Sequence, residues 1–338
     1  MRRILLLLLQ VTAATALQAA PGSKKLCVDK SEPPWHPTPT LALHSAALIW
    51  GSQHSVVKTL VEQVDSPPIV NAARFLLAAS LTAPWWPAIP SRNSQGQRTW
   101  KAGLELGFLM WLGFALQAAG LADTTATRSA FLLYLNVKLV PILALVLYGR
   151  ESSKTTWISA ALAFCGTALI SSDGSPPSIG DAYSLAAAAA SALFILRLEA
   201  ACKPTNNIVG AELNSATLVT CGALCALWGW FELLRLDPSS AANAIAALQQ
   251  NSFQVAYLAV FVTLVANWLQ TYGQSSVPSQ NAALIFSLDP VYGAVFAWAL
   301  LGERLNEQGF LGVLFVLTGV IISACNGEPR ASSNLKDE

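Results

Sequence analysis

Residues 108–120 read FLMWLGFALQAAG, and 153 positions further on residues 261–273 read FVTLVANWLQTYG. Phe108/Phe261, Leu116/Leu269, Gln117/Gln270 and Gly120/Gly273 coincide. The same offset runs without a gap over about 60 positions, through Ala130/Ala283, Leu135/Leu288, Ala144/Ala297, Gly149/Gly302 and Gly166/Gly319. Apolar composition alone would not set a glutamine pair and three glycine pairs on one diagonal. The chain therefore reads as two copies of one unit. Both copies are apolar throughout, which makes the unit a membrane one and points towards transport.

Composition agrees. Of 338 residues, 54% are hydrophobic and 12% charged, too little polar surface to cover a soluble globule. A helix needs about 20 apolar residues to cross the hydrocarbon, and it satisfies its own backbone there. Ten such segments are expected, at 41–61, 68–88, 101–121, 126–148, 154–172, 181–200, 207–233, 253–275, 279–301 and 307–325. Turn residues separate them, as at Asp65-Ser66-Pro67-Pro68, 90–97 and Asp173-Gly174-Ser175-Pro176-Pro177. Trp85, Trp86, Trp100, Trp157, Trp228 and Trp230 fall near predicted ends, where amphipathic rings favour the interface.

Charge sets the orientation. Lys24, Lys25, Lys30, Arg92, Arg98, Lys101, Arg150, Lys154, Arg197, Lys203, Arg330 and Lys336 fall on the side of the termini, 12 cations against the 4 of Lys58, Arg128, Arg235 and Arg304 opposite. The positive-inside rule puts both termini on the cytosol-like side, as an even number of spans requires. The offset carries segments 3, 4 and 5 onto 8, 9 and 10, and an odd step of five inverts the second copy. The expected fold is an all-α, multi-pass membrane protein of ten transmembrane helices in two inverted five-helix repeats. The repeats are 41–172 and 181–325, between a presequence and linker at 1–40 and a polar tail at 326–338.

Met1-Arg2-Arg3, then Ile4 to Leu9, then an alanine-rich run to Ala20 before Pro21 has the order of a secretory signal peptide. A cleaved signal would deliver the new terminus to the side opposite the one the charges demand. Reading the basic, hydroxyl-bearing 21–40 as the second half of a two-part plastid address reconciles the two; the alternative is an apolar leader without targeting value. Six cysteines form no disulfide framework. Cys221 and Cys225, at i and i+4, share a helix face, and the histidines His36, His44 and His54 are all far from them in sequence, so no metal is expected.

Several short motifs occur in order. Trp50-Gly51-Ser52, Lys58, Pro67-Pro68, Arg74-Phe75, Thr124-Thr125-Ala126-Thr127 before Ala130-Phe131, Pro141 and Gly149-Arg150-Glu151 resemble the first half of an EamA-type drug/metabolite transporter. Gly180-Asp181, Ala282-Ala283-Leu284-Ile285-Phe286, Asp289-Pro290 and Gly302-Glu303-Arg304 resemble its second half. The resemblance covers about 41–325. It implies two inverted bundles, a central cavity and alternating access, with cargoes that range over amino acids, other metabolites and drugs. Two residues depart from the family pattern. Asp289 stands where many members carry Glu, and Lys138 lies in a segment that is normally uncharged.

Both charges are central in their segments, and the offset pairs Asp289 with Asn136, two residues from Lys138. An ionisable group at the bilayer centre costs at least about 2.5 kcal/mol on insertion scales, so each should face protein, water or a partner. Two readings stand. Lys138 and Asp289 form a buried pair that locks segments 4 and 9 together, or Lys138 docks an anionic substrate group, with Asp289 as its counter-charge or a proton carrier. Gln117, Gln270 and Asn267 are further lining candidates, as are Arg74 and Trp50. Gln53, His54, Glu212 and Asn214 add polar groups, and Trp111 and Trp268 lie away from the interfaces.

The expected partners are the lipid bilayer, a small-molecule substrate and a coupling proton, without nucleic acid or cofactor. The chain carries no paired metal-binding histidines, nucleophile elbow or phosphate-cradling loop, which argues against an enzyme. A plastid-envelope metabolite or organic-anion exchanger is one alternative and a non-transporting receptor another. The longest loop expected, 234–252, offers a receptor little partner surface.

Overall fold

The computed structural model describes residues 38–87, 94–123, 132–150, 152–171, 178–301 and 307–325. The leader, most of the linker, the tail and the motifs at 124–127, 130–131 and 302–304 lie outside the described residues. Among the described residues the regular structure is helical, without strands. The helices are α1 (Pro39–Val64), α2 (Pro67–Leu81), α3 (Ser94–Asp123), α4 (Asn136–Tyr148), α5 (Lys154–Ser171), α6 (Ile179–Ala201) and α7 (Gly210–Arg235). They continue as α8 (Pro238–Gln250), α9 (Ser252–Gln274), α10 (Ser279–Phe286), α11 (Asp289–Leu301) and α12 (Glu307–Cys325). Four are long and apolar enough to cross a membrane, within Gln95–Gly120, Ile179–Ala201, Gly210–Arg235 and Ser252–Gln274. The chain is an integral membrane protein.

Local chemistry explains several boundaries. Asp65 turns the chain at φ 50°, and Pro67 and Pro68 open α2 where a missing N–H is harmless. Gly149, left-handed at φ 60°, ends α4, and the Arg150 amide reaches back to the Ala144 carbonyl. Asp181 is the third residue of α6 and closes a capping box with Ser178. The 234–252 stretch is not a loop. Asp237 accepts from the Ser240 amide and caps α8, whose Ala244 and Leu248 pack beside Val64 and Ile69.

The helix interfaces come in related pairs. α5 packs on α12 and α2 on α7; α3 packs on α6 as α9 does on α1, and α4 on α6 as α11 does on α1. Glycines give the detail, because they are where backbones approach most closely. A Cβ on Gly166 would lie 2.5 Å from the Gly312 oxygen and 2.7 Å from the Val316 nitrogen, and one on Gly319 would lie 2.7 Å from the Ser159 oxygen and 3.3 Å from the Ala163 nitrogen. Adding 153 to 159, 163 and 166 gives 312, 316 and 319, so each contact is the other with the halves exchanged. Gly120 meets Gly180 and Ser184, and its mate Gly273 meets Pro39 and Leu43; both partners differ by 141.

Direction can be read from the same contacts. Gly166 faces 312 and 316 while Gly319 faces 159 and 163, so α5 and α12 are antiparallel. Gly222 faces Phe75 and Ala79 while Gly229 faces Ala72 and Pro68, so α2 and α7 are antiparallel as well.

Candidate functional site

Two of the expected spans are interrupted. Segment 4 turns at Tyr134-Leu135 before α4 begins at Asn136, and segment 9 turns at Ser287-Leu288 between α10 and α11, which begins at Asp289. The offset of 153 carries 134–135 onto 287–288, so the breaks share one register. They also touch. The Tyr134 hydroxyl donates to Asp289 Oδ2, and both groups are buried, at 9% and 7% exposure. Asp289 occupies the first turn of α11, where the unpaired amides favour a carboxylate, and Pro290 follows without a donor to satisfy.

This geometry corrects one expectation. Asp289 is held by Tyr134, and Lys138 does not pair with it: the Lys138 ammonium lies 4.0 Å from the centre of the Phe164 ring on α5. Lys138 is in the first turn of α4, a helix end that repels a cation. A neighbouring π-face offers it a favourable partner. Asn136, the repeat mate of Asp289, donates to Ser191 on α6 at 3.1 Å, while its own carbonyl oxygen is buried without a partner among the described residues.

A second cluster gathers where α1, α2, α3 and α9 meet. Leu258–Val265 in α9 is a π-helical stretch, a wider turn that displaces carbonyls from the α-ladder. The Trp50 indole donates to the Val262 carbonyl there at 3.2 Å, and its ring meets Phe286 edge-on at 5.1 Å. Thr263, in the same stretch, accepts from Arg74 Nε at 2.5 Å, and Gln53 accepts from Arg74 Nη2 at 3.4 Å. The Arg74 guanidinium, on a residue 4% exposed, stacks over Phe75 and Phe114 at 5.1 and 5.3 Å. Ser52 and Tyr257 share a hydrogen bond of 2.5 Å.

The remaining candidates separate. Gln270 donates to Gln274, which donates to the Ile195 carbonyl on α6; this pairing is an interhelical tie. Gln117, its mate, is half-buried and does not join that chain. Asn267 is buried and its amide points to the Met110 sulfur at 3.6 Å. The side chain of His54 lies outside the described residues. Cys221 and Cys225 are buried against Phe75.

Ionic ties join helix ends around Arg150 and Glu199. Arg150 donates to both Glu199 oxygens at 2.9 and 3.1 Å, and Glu199 also accepts the Ser279 amide that opens α10 at 3.1 Å. Arg197 donates to Glu105 on α3 at 2.8 Å and to Tyr148 at 3.2 Å. The sequence reading missed Tyr134, Thr263, Phe114 and Glu199. Asp289-Pro290 was the one local sign of a helix start in segment 9; the apolar run 258–265 carries no comparable mark of its π-geometry.

Comparison with known proteins places the chain among transporters. The EamA-like transporter family matches it twice, over residues 39–172 and 178–325. An uncharacterised transporter of Archaeoglobus fulgidus is 30% identical over 290 residues, which cover 83% of this chain and 84% of that protein. The uncharacterised transporter YetK of Bacillus subtilis is 26% identical over 60% of this chain and 61% of its own length. A solved crystal structure superposes with a TM-score of 0.66 at 14% identity, covering 84% of this chain and 96% of the other, which is a likeness of fold.

Proposed function

Because the chain belongs to the EamA-like transporter family, we propose that it is a secondary transporter moving a small metabolite by alternating access, with ten spans in two inverted five-helix repeats. The matched helix breaks carry this reading. Each half interrupts one span at the same register, and the breaks meet through Tyr134 and Asp289. Non-helical backbone at membrane depth persists only where protein buries it or a cavity adjoins it. Half-helices starting there present their first amides to substrates and coupling ions.

Inversion is supported by the antiparallel run of α5 against α12 and of α2 against α7, since equivalent helices of a parallel repeat would run the same way. The cation count supports termini on the cytosol-like side, where Arg150 pairs with Glu199. In this reading Asp289 is the group whose hydrogen bonding and protonation change with occupancy. Tyr134, just before α4, contacts it from the other half, and Lys138 serves the α4–α5 contact.

Counterflow of a labelled metabolite panel into proteoliposomes tests the proposal. Solute-specific exchange, reduced in Asp289→Asn, is expected. Folded, reconstituted protein that accelerates no solute in the panel would argue for a receptor instead.

A further inference from the structure

We infer that Arg74, with Trp111 and Phe114, forms a binding pocket for a monocarboxylate with an apolar body. The inference rests on the transport reading for its consequence, that the acid is cargo, while the binding chemistry stands on the pocket itself. A guanidinium carries five N–H donors. In Arg74 two are used, by Thr263 and, at the long distance of 3.4 Å, by Gln53. The other three have no acceptor among the described residues. The contacts of Arg74 include no carboxylate among the described residues, although the residue is 4% exposed; in the transport reading it lies within a span. A buried cation without an ionic partner is costly, and a ligand that brings the anion is strongly favoured there.

A second unsatisfied donor lies on α3. The Trp111 indole N–H is buried without a hydrogen-bond partner among the described residues. Trp111 lies one helical turn before Phe114 and packs with it on the cluster of Phe75, Leu218 and Cys221, which adjoins Arg74 through Phe75 and Phe114. Phe75 and Phe114 cover the guanidinium at 5.1 and 5.3 Å and meet each other edge-on at 5.0 Å, which fixes the plane of the fork. Donors therefore outnumber acceptors, the walls are apolar, and the cation is planar and forked. Paired N–H groups suit the two oxygens of a carboxylate. One positive charge, with no second cation among its contacts in the described residues, balances a monoanion and leaves a phosphate dianion half-neutralised.

The test measures binding to purified full-length protein by isothermal titration, with acetate, hexanoate and benzoate as probes, benzamide as the neutral isostere and inorganic phosphate as the dianion. Affinity should rise from acetate to the two larger acids, and benzamide and phosphate should bind more weakly than benzoate. Arg74→Gln should weaken benzoate by at least about tenfold, the usual scale for losing a charge-assisted pair. If that variant does not fold, Arg74→Lys, which keeps the charge and loses the fork, and Trp111→Phe carry the test, each with a loss of about threefold or more. Absence of binding by all three acids, phosphate binding as tight as benzoate, or benzoate affinity unchanged in the folded variants would overturn the pocket. Acid binding without counterflow would refute the transport reading and leave the pocket standing. Counterflow of another solute without acid binding would do the reverse.

Discussion

If the two helix breaks are held together by Tyr134 and Asp289, removing the hydroxyl should cost more than packing alone predicts. Tyr134→Phe keeps the ring and deletes one donor from a carboxylate that is 7% exposed. A hydrogen bond to a charged group contributes about 1.5 to 3 kcal/mol, so unfolding free energy should fall by about 2 kcal/mol. Asp289→Asn alone should be close to neutral, because it keeps an acceptor while removing a charge that is costly at this depth. In the Asp289→Asn background the Tyr134→Phe cost should drop to about 1 kcal/mol, the worth of a neutral pair, giving a coupling of about 1 kcal/mol. Unfolding in mixed micelles by titration with sodium dodecyl sulfate measures all four proteins. Equal Tyr134→Phe costs in the two backgrounds, within about 0.5 kcal/mol, would refute the clasp.

Other perturbations have distinct signatures. Gly166→Leu and Gly319→Leu press a side chain into the partner helix backbone at 2.5 and 2.7 Å, so each should destabilise the protein by about 3 kcal/mol or more in the same titration. Gly149→Ala, where nothing lies within 4 Å but φ is 60°, should cost only about 1 kcal/mol. Glu199→Gln loosens the tie between Arg150 and the start of α10, so a cysteine at Gln280 should react with a polar maleimide about fivefold faster, as loss of roughly 1 kcal/mol of pairing requires. Hydrogen bonds from Ser239 and Ser240 hold the Asp237 carboxyl well below the usual carboxylate range. The cap therefore stabilises α8 above about pH 4, the unfolded value, and its contribution is lost as pH falls further through the folded value. Exchange protection of the first α8 amides should follow that course and be absent at every pH in Asp237→Ala.

The parts of this fold legible in the sequence are those that depend on pattern over long stretches. Constant register between the halves needed only residue identities, and the structure returns it as backbone contacts: Gly166 on Gly312 is Gly319 on Ser159 with the halves exchanged. Motifs with a local cause were legible too, since Gly149 serves a left-handed cap and Asp181 a capping box. The partners of the central charges were not legible. Whether Lys138 reaches Asp289 or Phe164 depends on where a few residues turn at 134–135, and an apolar run with tyrosine and leucine does not announce a turn. Arg74 was visible as a lining candidate; only packing of α2 against α7 and α9, with Phe75 on Phe114 of α3, makes it an interior cation.

The repeat is symmetric in backbone and unsymmetric in chemistry, and that difference bears on how such a molecule would work. Exchange of the halves sends Tyr134 to Ser287 and Asn136 to Asp289, so a carboxylate stands at one break and an amide at the other. If the halves are inverted copies that alternate access, as proposed, their matching interfaces would offer two conformations of similar packing energy, each the other with the halves' roles swapped. The tie on the termini side keeps its residue types under the same exchange. The offset of 153 sends Arg150 to Glu303 and that of 141 sends Glu199 to Lys58, which returns one cation and one carboxylate with the signs reversed, at positions whose side chains lie outside the described residues. In that reading the unlike side chains at the centre would decide between the two. A ligand there shifts the balance only to the extent that it binds the two states differently. In the proposed cycle the single acidic break would make the central site unequal under exchange, so occupancy or protonation of Asp289 would favour one state, which a fully symmetric pair of breaks could not do.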